Sequence, residues 1–279
     1  MLQFSTKKAL GEYLDQQRQL GKTIGFVPTM GALHEGHASL VKIARKSTDI
    51  VTVSVFVNPT QFNDKNDLQN YPRTEEKDCQ LLESLGVDAV FLPSVDEMYP
   101  EPDTRVFDFA GIDRVMEGEH RPGHFNGVAQ VVSRLFDIVN PDKAFFGEKD
   151  YQQIAIIKQM VKTLGYKLEI VPCPIVRGAD GLALSSRNAL LTPEHRAVAP
   201  FIHKTLSQVP AMAATKSPAE ICNWVVETIN SQPLLEAEYF QIVDDETMMP
   251  INTFTKGRKS VGCVTVWAGK VRLIDNVVF

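Results

Sequence analysis

The feature that most narrows the possible folds is a repeated alternation between short, uniformly apolar runs and longer segments of helical periodicity. The runs are TIGFVP at 23–28, IVTVSVFV at 50–57, DAVFLP at 88–93, KAFFG at 143–147 and KLEIVPC at 167–173. Strands that are apolar throughout, rather than alternating, suit a parallel sheet covered on both faces. The segments between them predict helices over residues 37–46, 74–85, 125–138 and 151–164. Another helix is expected over residues 5–20, with Ser5 and Thr6 as caps, Leu10, Tyr13 and Leu14 on one side, and a stop near Gly21. Strand and helix in alternation give a doubly wound α/β layer. Beyond Pro174 the texture changes to helices near 194–208 and 218–230, followed by alternating strands in EYFQIVD, VGCVTVWA and VRLIDNVVF. That is α+β texture, so a boundary is expected near Ile175, dividing the chain into residues 1–175 and 176–279.

Ligands of open α/β sheets bind at the carboxyl ends of strands. The loop after the first apolar run, Pro28-Thr29-Met30-Gly31-Ala32-Leu33-His34-Glu35-Gly36-His37, lies at such a place. A helix starting near Gly36 would aim free N–H groups at phosphate, with His34 and His37 as further donors. A zinc helix needs H-E-x-x-H with histidines at i and i+4, whereas these stand at i and i+3 around a glycine. A plain structural turn stays open for this loop on its own. Asn58-Pro59-Thr60-Gln61 ends the strongest strand, and Asn58 fits both a turn cap and an amide contact to a hydroxy acid. Gly147-Glu148-Lys149-Asp150-Tyr151-Gln152-Gln153 repeats the strand, glycine, helix arrangement. Lys149 suits phosphate there, and a capping Asp150 beside a solvated lysine is the alternative. The stretch 176–188, with Leu184, Ser185, Ser186 and Arg187, reads either as a mobile loop closing over a triphosphate or as a linker. In Glu119-His120-Arg121-Pro122-Gly123-His124, Pro122 and Gly123 interrupt any two-histidine metal helix; Arg121 and His124 fit a substrate-side lid or a helix cap.

The formal net charge of −5 argues against a general nucleic-acid surface, and no run approaches the length needed to cross a bilayer. Cys79, Cys173, Cys222 and Cys263 form no C-x-x-C pair, so free thiols in a reducing cytoplasm are expected.

PTMGALHEGH, VFVNPTQF, YPRT, RPGHFNGV, FGEKDYQQ and LSSRN occur in this order over essentially the whole chain. On these segments the chain resembles the pantothenate synthetase family, the pantoate and β-alanine ligases of coenzyme A biosynthesis. The resemblance implies a Rossmann-type doubly wound parallel sheet binding ATP and pantoate in residues 1–175. It implies a smaller C-terminal α+β lid in residues 176–279, and a homodimer. It places His34 and His37 at the ATP phosphates, with His37 as proton donor, and Met30, Gly31, Ala32, Leu33, Glu35 and Gly36 in the same nucleotide site. Gly147, Glu148, Lys149 and Asp150 correspond to nucleotide contacts, Val176 to an adenine contact, and Leu184, Ser185, Ser186 and Arg187 to the loop that closes on phosphate. Here that loop reads Ser-Ser-Arg where related synthetases carry a lysine-bearing motif. Catalytic roles therefore fall to His37, His34, Lys149 and Arg187. Gln61 and Gln153 correspond to the pantoate pair, with Asn58 beside them. The implied reaction joins pantoate to β-alanine through an adenylate, with Mg²⁺ on the ATP phosphates and no protein metal ligand assigned. Glu75, Glu76 and Asp78 fit either magnesium placement or a solvated helix face. Two other readings are an H-x-G-H nucleotidyltransferase acting on a phosphorylated metabolite and a catalytically silent nucleic-acid-binding relative. Paired glutamines disfavour the first, and the acidic balance the second.

Overall fold

The structure is a computed structural model and describes residues 1–63 and 65–279. Among these residues the strands are β1 (Leu2–Phe4), β2 (Ile24–Thr29), β3 (Ile50–Val55), β4 (Ala89–Phe91), β5 (Lys143–Gly147), β6 (Glu169–Cys173), β7 (Glu236–Asp244), β8 (Ser260–Ala268) and β9 (Val271–Val278). The first six form one parallel sheet in the order β1-β4-β3-β2-β5-β6; the last three form an antiparallel sheet in sequence order. The helices are α1 (Lys7–Gln19), α2 (Glu35–Ser47), α3 (Lys65–Asn70), α4 (Glu75–Ser84), α5 (Val95–Met98), α6 (Glu117–His120), α7 (His124–Val139), α8 (Tyr151–Leu164), α9 (Pro193–Val198), α10 (Phe201–Leu206), α11 (Val209–Met212) and α12 (Pro218–Asn230).

Uniformly apolar strands are buried on both faces. Successive side chains point to opposite sides of the sheet, and Phe26 and Phe146 join a cluster with α1, α7 and α8, while their neighbours Val27 and Phe145 join another with α2 and α4. Phe136 of α7 meets Phe26, Phe146 and Tyr166 edge to face, which locks that helix across β2 and β5. A third cluster fills the space between the small sheet and α10 and α12. The first cluster also takes in Tyr239, Val243 and Cys263, so the two sheets share buried surface.

Two elements differ from the sequence-based expectation. β6 is an edge strand with Glu169 and Pro172 exposed, and its proline is tolerated because an edge needs fewer ladder donors. β1 is a three-residue edge strand too short to leave a periodic signal. The sheet order reverses direction at β2, whose neighbours β3 and β5 lie on opposite sides of it. Such a switch point opens a crevice at the strands' carboxyl ends.

Candidate active site

A cavity of about 210 Å³ occupies that crevice. Its wall includes Met30, His34, Gly36 and His37 after β2, and Asn58 and Gln61 after β3. Gly147 ends β5 and Lys149, Asp150 and Gln153 follow it, and Val176, Leu184, Ser185, Ser186 and Arg187 follow β6. Segments more than a hundred residues apart in sequence therefore meet in one place.

The loop after β2 is built from the backbone outward. Gly31 and Ala32 take left-handed conformations, with φ of 80° and 50°; for alanine this is costly, on the order of 1–2 kcal/mol. Asp78 of α4, 2% exposed, holds the turn. Its carboxylate accepts the Ala32 N–H (2.9 Å), the Leu33 N–H (2.8 Å) and the Thr74 hydroxyl (3.1 Å). Asp78 is thus neither a solvated side chain nor free to place magnesium. Asp78→Ala is expected to cost about 2–3 kcal/mol, because charge-assisted hydrogen bonds are lost and two backbone donors are stranded. Thermal denaturation checks this, and an unchanged Tm would mean the carboxylate does not hold the loop.

The ordered turn sets His34 as the N-cap of α2. His34 Nδ1 accepts the Gly36 N–H (3.1 Å), and His37 Nδ1 accepts the His34 N–H (3.3 Å). Each ring thereby carries its proton on Nε2 when neutral. A Cβ at residue 36 would lie 2.7 Å from His34 Cε1, so glycine there lets the ring fold over the backbone. The ring centroids are 4.2 Å apart. Burial, followed by the charge of Lys149, lowers His34 to about 4; burial, then His34 and Lys149, lowers His37 to about 3. Both imidazoles are therefore neutral N–H donors near pH 7.

Asn58 lines the cavity, but its amide is committed inside the protein. It donates to Gln61 Oε1 (3.1 Å) and the Gly127 carbonyl (3.2 Å), and accepts from Thr60 and from the Tyr99 hydroxyl (2.8 Å). Asn58 is therefore placed to orient Gln61 rather than to receive a ligand. Gly127 permits the same arrangement from the side of α7. A Cβ there would collide with the Thr60 carbonyl and approach Gln61 Cα to 2.8 Å.

Lys149 pairs with Asp150 at 3.1 Å, and the Glu148 and Lys149 carbonyls accept from Asn276 of β9. Residues 177–183 form a tight bridge with Arg177 paired to Ala183, which is not linker geometry. Arg177 also makes a two-pronged ion pair with Asp275 at 2.6 and 2.9 Å. Ser185 caps the following turn, and Arg187 reaches Asp67 at 3.0 Å and covers Tyr71, whose hydroxyl meets Ser186. Gly31, Ala32, Leu33, Glu35 and Glu148 do not line the cavity. The Ala32 and Leu33 N–H groups are held by Asp78, and Glu35 faces Lys42 at 3.8 Å. Tyr71 and Asn276 support the site without having been singled out for it by the sequence, the YPRT segment being the signal that pointed to Tyr71; Asp78 was singled out, but for magnesium placement or a solvated face rather than for holding the loop.

A second cavity, about 650 Å³, lies against the small sheet and shares Lys149, Asp150, Gln153, Ser185 and Arg187 with the first. Arg121 and His124 line it. His120 and His124 sit on separate helices, α6 and α7. Cys263 also borders it, its thiol pushed up to about 12 by burial, which leaves it protonated and inert as a nucleophile. Among the described residues no group of three or more His, Cys, Asp or Glu side chains is arranged to hold a metal ion.

Comparison with known proteins adds an independent finding. The family described as pantoate-beta-alanine ligase matches residues 3–278. The pantothenate synthetase of Porphyromonas gingivalis is 55% identical over 274 residues, covering 98% of each chain. That of Phocaeicola vulgatus is 58% identical, covering 98% of this chain and 97% of its own. The crystal structure of pantothenate synthetase from Thermus thermophilus superposes with a TM-score of 0.92 at 44% identity, covering 99% of both chains. The Francisella tularensis pantoate-beta-alanine ligase, solved in complex with beta-gamma ATP and β-alanine, gives 0.84 at 38% identity, covering 100% of this chain and 97% of that one.

Proposed function

The chain belongs to the pantoate-beta-alanine ligase family, and on that premise we propose that it joins pantoate to β-alanine through a pantoyl adenylate made in the smaller cavity. One observation carries this reading. Neutral and cationic donors suited to phosphate (His34, His37, Lys149, Arg187) line the same cavity as two glutamines suited to a hydroxy acid (Gln61, Gln153).

In the first step a pantoate carboxylate oxygen attacks the α-phosphorus of ATP, and the bond to the bridging pyrophosphate oxygen breaks. Negative charge grows on the transferring and departing groups, where the Nε2–H groups of His34 and His37 and the charges of Lys149 and Arg187 stabilise it. His37 acts as a hydrogen-bond donor from the neutral state, since a ring held near 3 carries no second proton at pH 7. In the second step the free amine of β-alanine attacks the acyl carbon, AMP leaves, and one amine proton is lost. The protein aligns the reactants and keeps water from the mixed anhydride. Mg²⁺ would be carried on the ATP phosphates, where it would offset their negative charge. The carboxylates of Asp67 and Asp150 that face this region are already ion-paired with Arg187 and Lys149, which fits a metal held by substrate oxygens.

The same proposal takes residues 1–175 as the ATP- and pantoate-binding unit and 176–279 as the lid. It includes a homodimer, for which the 87% exposed Val106 offers an apolar contact point, and a cytoplasmic location, which suits four free cysteines. Production of AMP with ATP, pantoate and β-alanine, each omitted in turn, tests the activity; AMP formed at full rate without pantoate would refute it. For Gln153→Ala, the KM for pantoate is expected to rise about 10-fold, the value of one or two hydrogen bonds, with the KM for ATP little changed. Steady-state kinetics with each substrate varied checks this, and the opposite pattern would mean the substrates are exchanged.

A further inference from the structure

We propose that Asp275 and Asn276, adjacent on β9, are positioning residues for adenylation that hold Lys149 and Arg187 in place relative to each other, an assignment that rests on the ligase reading above. The two cations sit on separate segments, one after β5 and the other after β6. Charge on a transferring phosphoryl group is stabilised best by donors that are in place before the reaction begins. The side-chain partner of Lys149 is Asp150, its neighbour on the same turn, and that of Arg187 is Asp67 on α3, so neither ion pair ties one cation to the other.

Asn276 governs the first cation through the backbone. It is 5% exposed, and its Nδ2 donates to the Glu148 carbonyl at 2.8 Å and to the Lys149 carbonyl at 3.1 Å. Both amide hydrogens are thereby used on consecutive peptide units. That fixes the rotation of the turn Glu148–Asp150, and with it the direction in which the Lys149 side chain leaves the main chain. Gly147, which precedes the turn, gives it no side-chain cap, so this restraint is supplied from another sheet.

Asp275 reaches the second cation by a longer route. Also 5% exposed, its carboxylate accepts from Arg177 Nη1 and Nη2 at 2.6 and 2.9 Å and from the Asn276 N–H at 2.8 Å. Arg177 begins a tight hairpin closed by Gly178 N–H to the Leu182 carbonyl (2.9 Å) and Leu184 N–H to the Val176 carbonyl (3.0 Å). Asn188 Nδ2 then donates to the Ala183 carbonyl at 3.0 Å, which joins the hairpin to the turn that carries Arg187. Asp275 and Asn276 themselves pair with Val264 and Cys263 of β8. A strand held in a sheet is a more precise base for a site than a loop, and both cation-bearing segments are referred to this one step of β9. If the pair served only to join the two sheets, its loss would lower stability without depending on Lys149 or Arg187.

A double-mutant cycle separates these roles. The readout is single-turnover formation of adenylate from labelled ATP and saturating pantoate, which remains measurable in slow variants, with thermal denaturation showing that each variant is folded at the assay temperature. Asn276→Ala is expected to slow the reaction about 10- to 100-fold, the range for a small displacement of a reacting group by a change away from the chemistry. The pantoate concentration giving half the maximal rate is expected to stay within about 3-fold, because Gln61 and Gln153 keep their places. Asn276→Asp, which keeps the volume but turns an acceptor toward two carbonyls, is expected to lose at least as much. In a Lys149→Ala background, Asn276→Ala is expected to change the rate by less than about 3-fold, since nothing is left for it to position. Asp275→Asn combined with Arg187→Ala is expected to show the same lack of additivity. Equal losses with and without Lys149, or an unchanged rate in both Asn276 variants, would overturn the assignment. Absence of any pantoate-dependent adenylate in the unsubstituted protein would instead overturn the ligase reading, and this assignment with it.

Discussion

Replacing His37 with alanine is expected to slow pantoate-dependent adenylate formation by about 10²–10³-fold, the range for removing one preorganised donor at a developing oxyanion. The fold should survive. His37 sits in the first turn of α2, and beyond accepting the His34 N–H its ring supports no other part of the molecule. The loss should fall on kcat rather than on the KM for ATP, because a neutral N–H gains most where charge accumulates during transfer. The low pKa values also predict a flat pH–rate limb from these rings. His34 near 4 and His37 near 3 stay neutral from pH 5 upward, so neither produces an inflection near 6.5 in the adenylation rate. Single-turnover kinetics over pH 5–9 checks both points, and a fall in rate above pH 6.5 that disappears in His37→Ala would show that the ring acts as a cation.

Glu117→Ala is expected to be the most destabilising of these substitutions, although Glu117 touches no proposed reacting atom. Its carboxylate joins α6 to β7, β8 and β9 by accepting from Tyr239, Thr265 and Arg272 at 2.6–2.9 Å. Breaking a buried pair by removing one partner costs about 3–5 kcal/mol, and Arg272 keeps Glu238, so about 3 kcal/mol is expected here. For a chain of this size that lowers Tm by on the order of 10 °C. Burial alone would push Glu117 upward, but the Arg272 guanidinium and the Tyr239 hydroxyl outweigh it and hold the carboxyl at about 2, below the ordinary 4.5. A folded pKa below the unfolded one gives stability that is full above about pH 4.5 and lost as the pH falls through about 2. The gap between the unsubstituted protein and Glu117→Ala should therefore be widest near neutrality and narrow below pH 4.5. Denaturant titrations at pH 7 and pH 3 measure it, and a gap of equal size at both would remove the ionised carboxylate as its source.

The doubly wound sheet was legible because both-face burial demands apolar runs, and each run became a strand of the parallel layer, although the last of them, β6, forms its partly exposed edge. The loop glycines and histidines were legible because close backbone approach and donor chemistry restrict the residue types allowed there. Supporting residues were less visible. Asp78 occupies an acidic stretch that reads as a solvated helix face, and only the fold shows its carboxylate turned onto the Ala32 and Leu33 N–H groups. Asn276 and Glu117 stand more than a hundred residues from the groups they bind, so no local spacing marks them. Asn58 was legible as a polar residue at a strand end, but whether it faces a ligand or a neighbouring side chain depends on α7 packing against it at Gly127.

The central claim is that the pantoate carboxylate attacks the α-phosphorus of ATP in the cavity lined by His34, His37, Gln61 and Gln153. It is tested most directly by turnover of pantoate labelled with ¹⁸O in both carboxylate oxygens, followed by mass spectrometry of the products. The account predicts one ¹⁸O in the phosphate of each AMP and one in the amide carbonyl. Unlabelled AMP, or label in orthophosphate released with ADP, would contradict it.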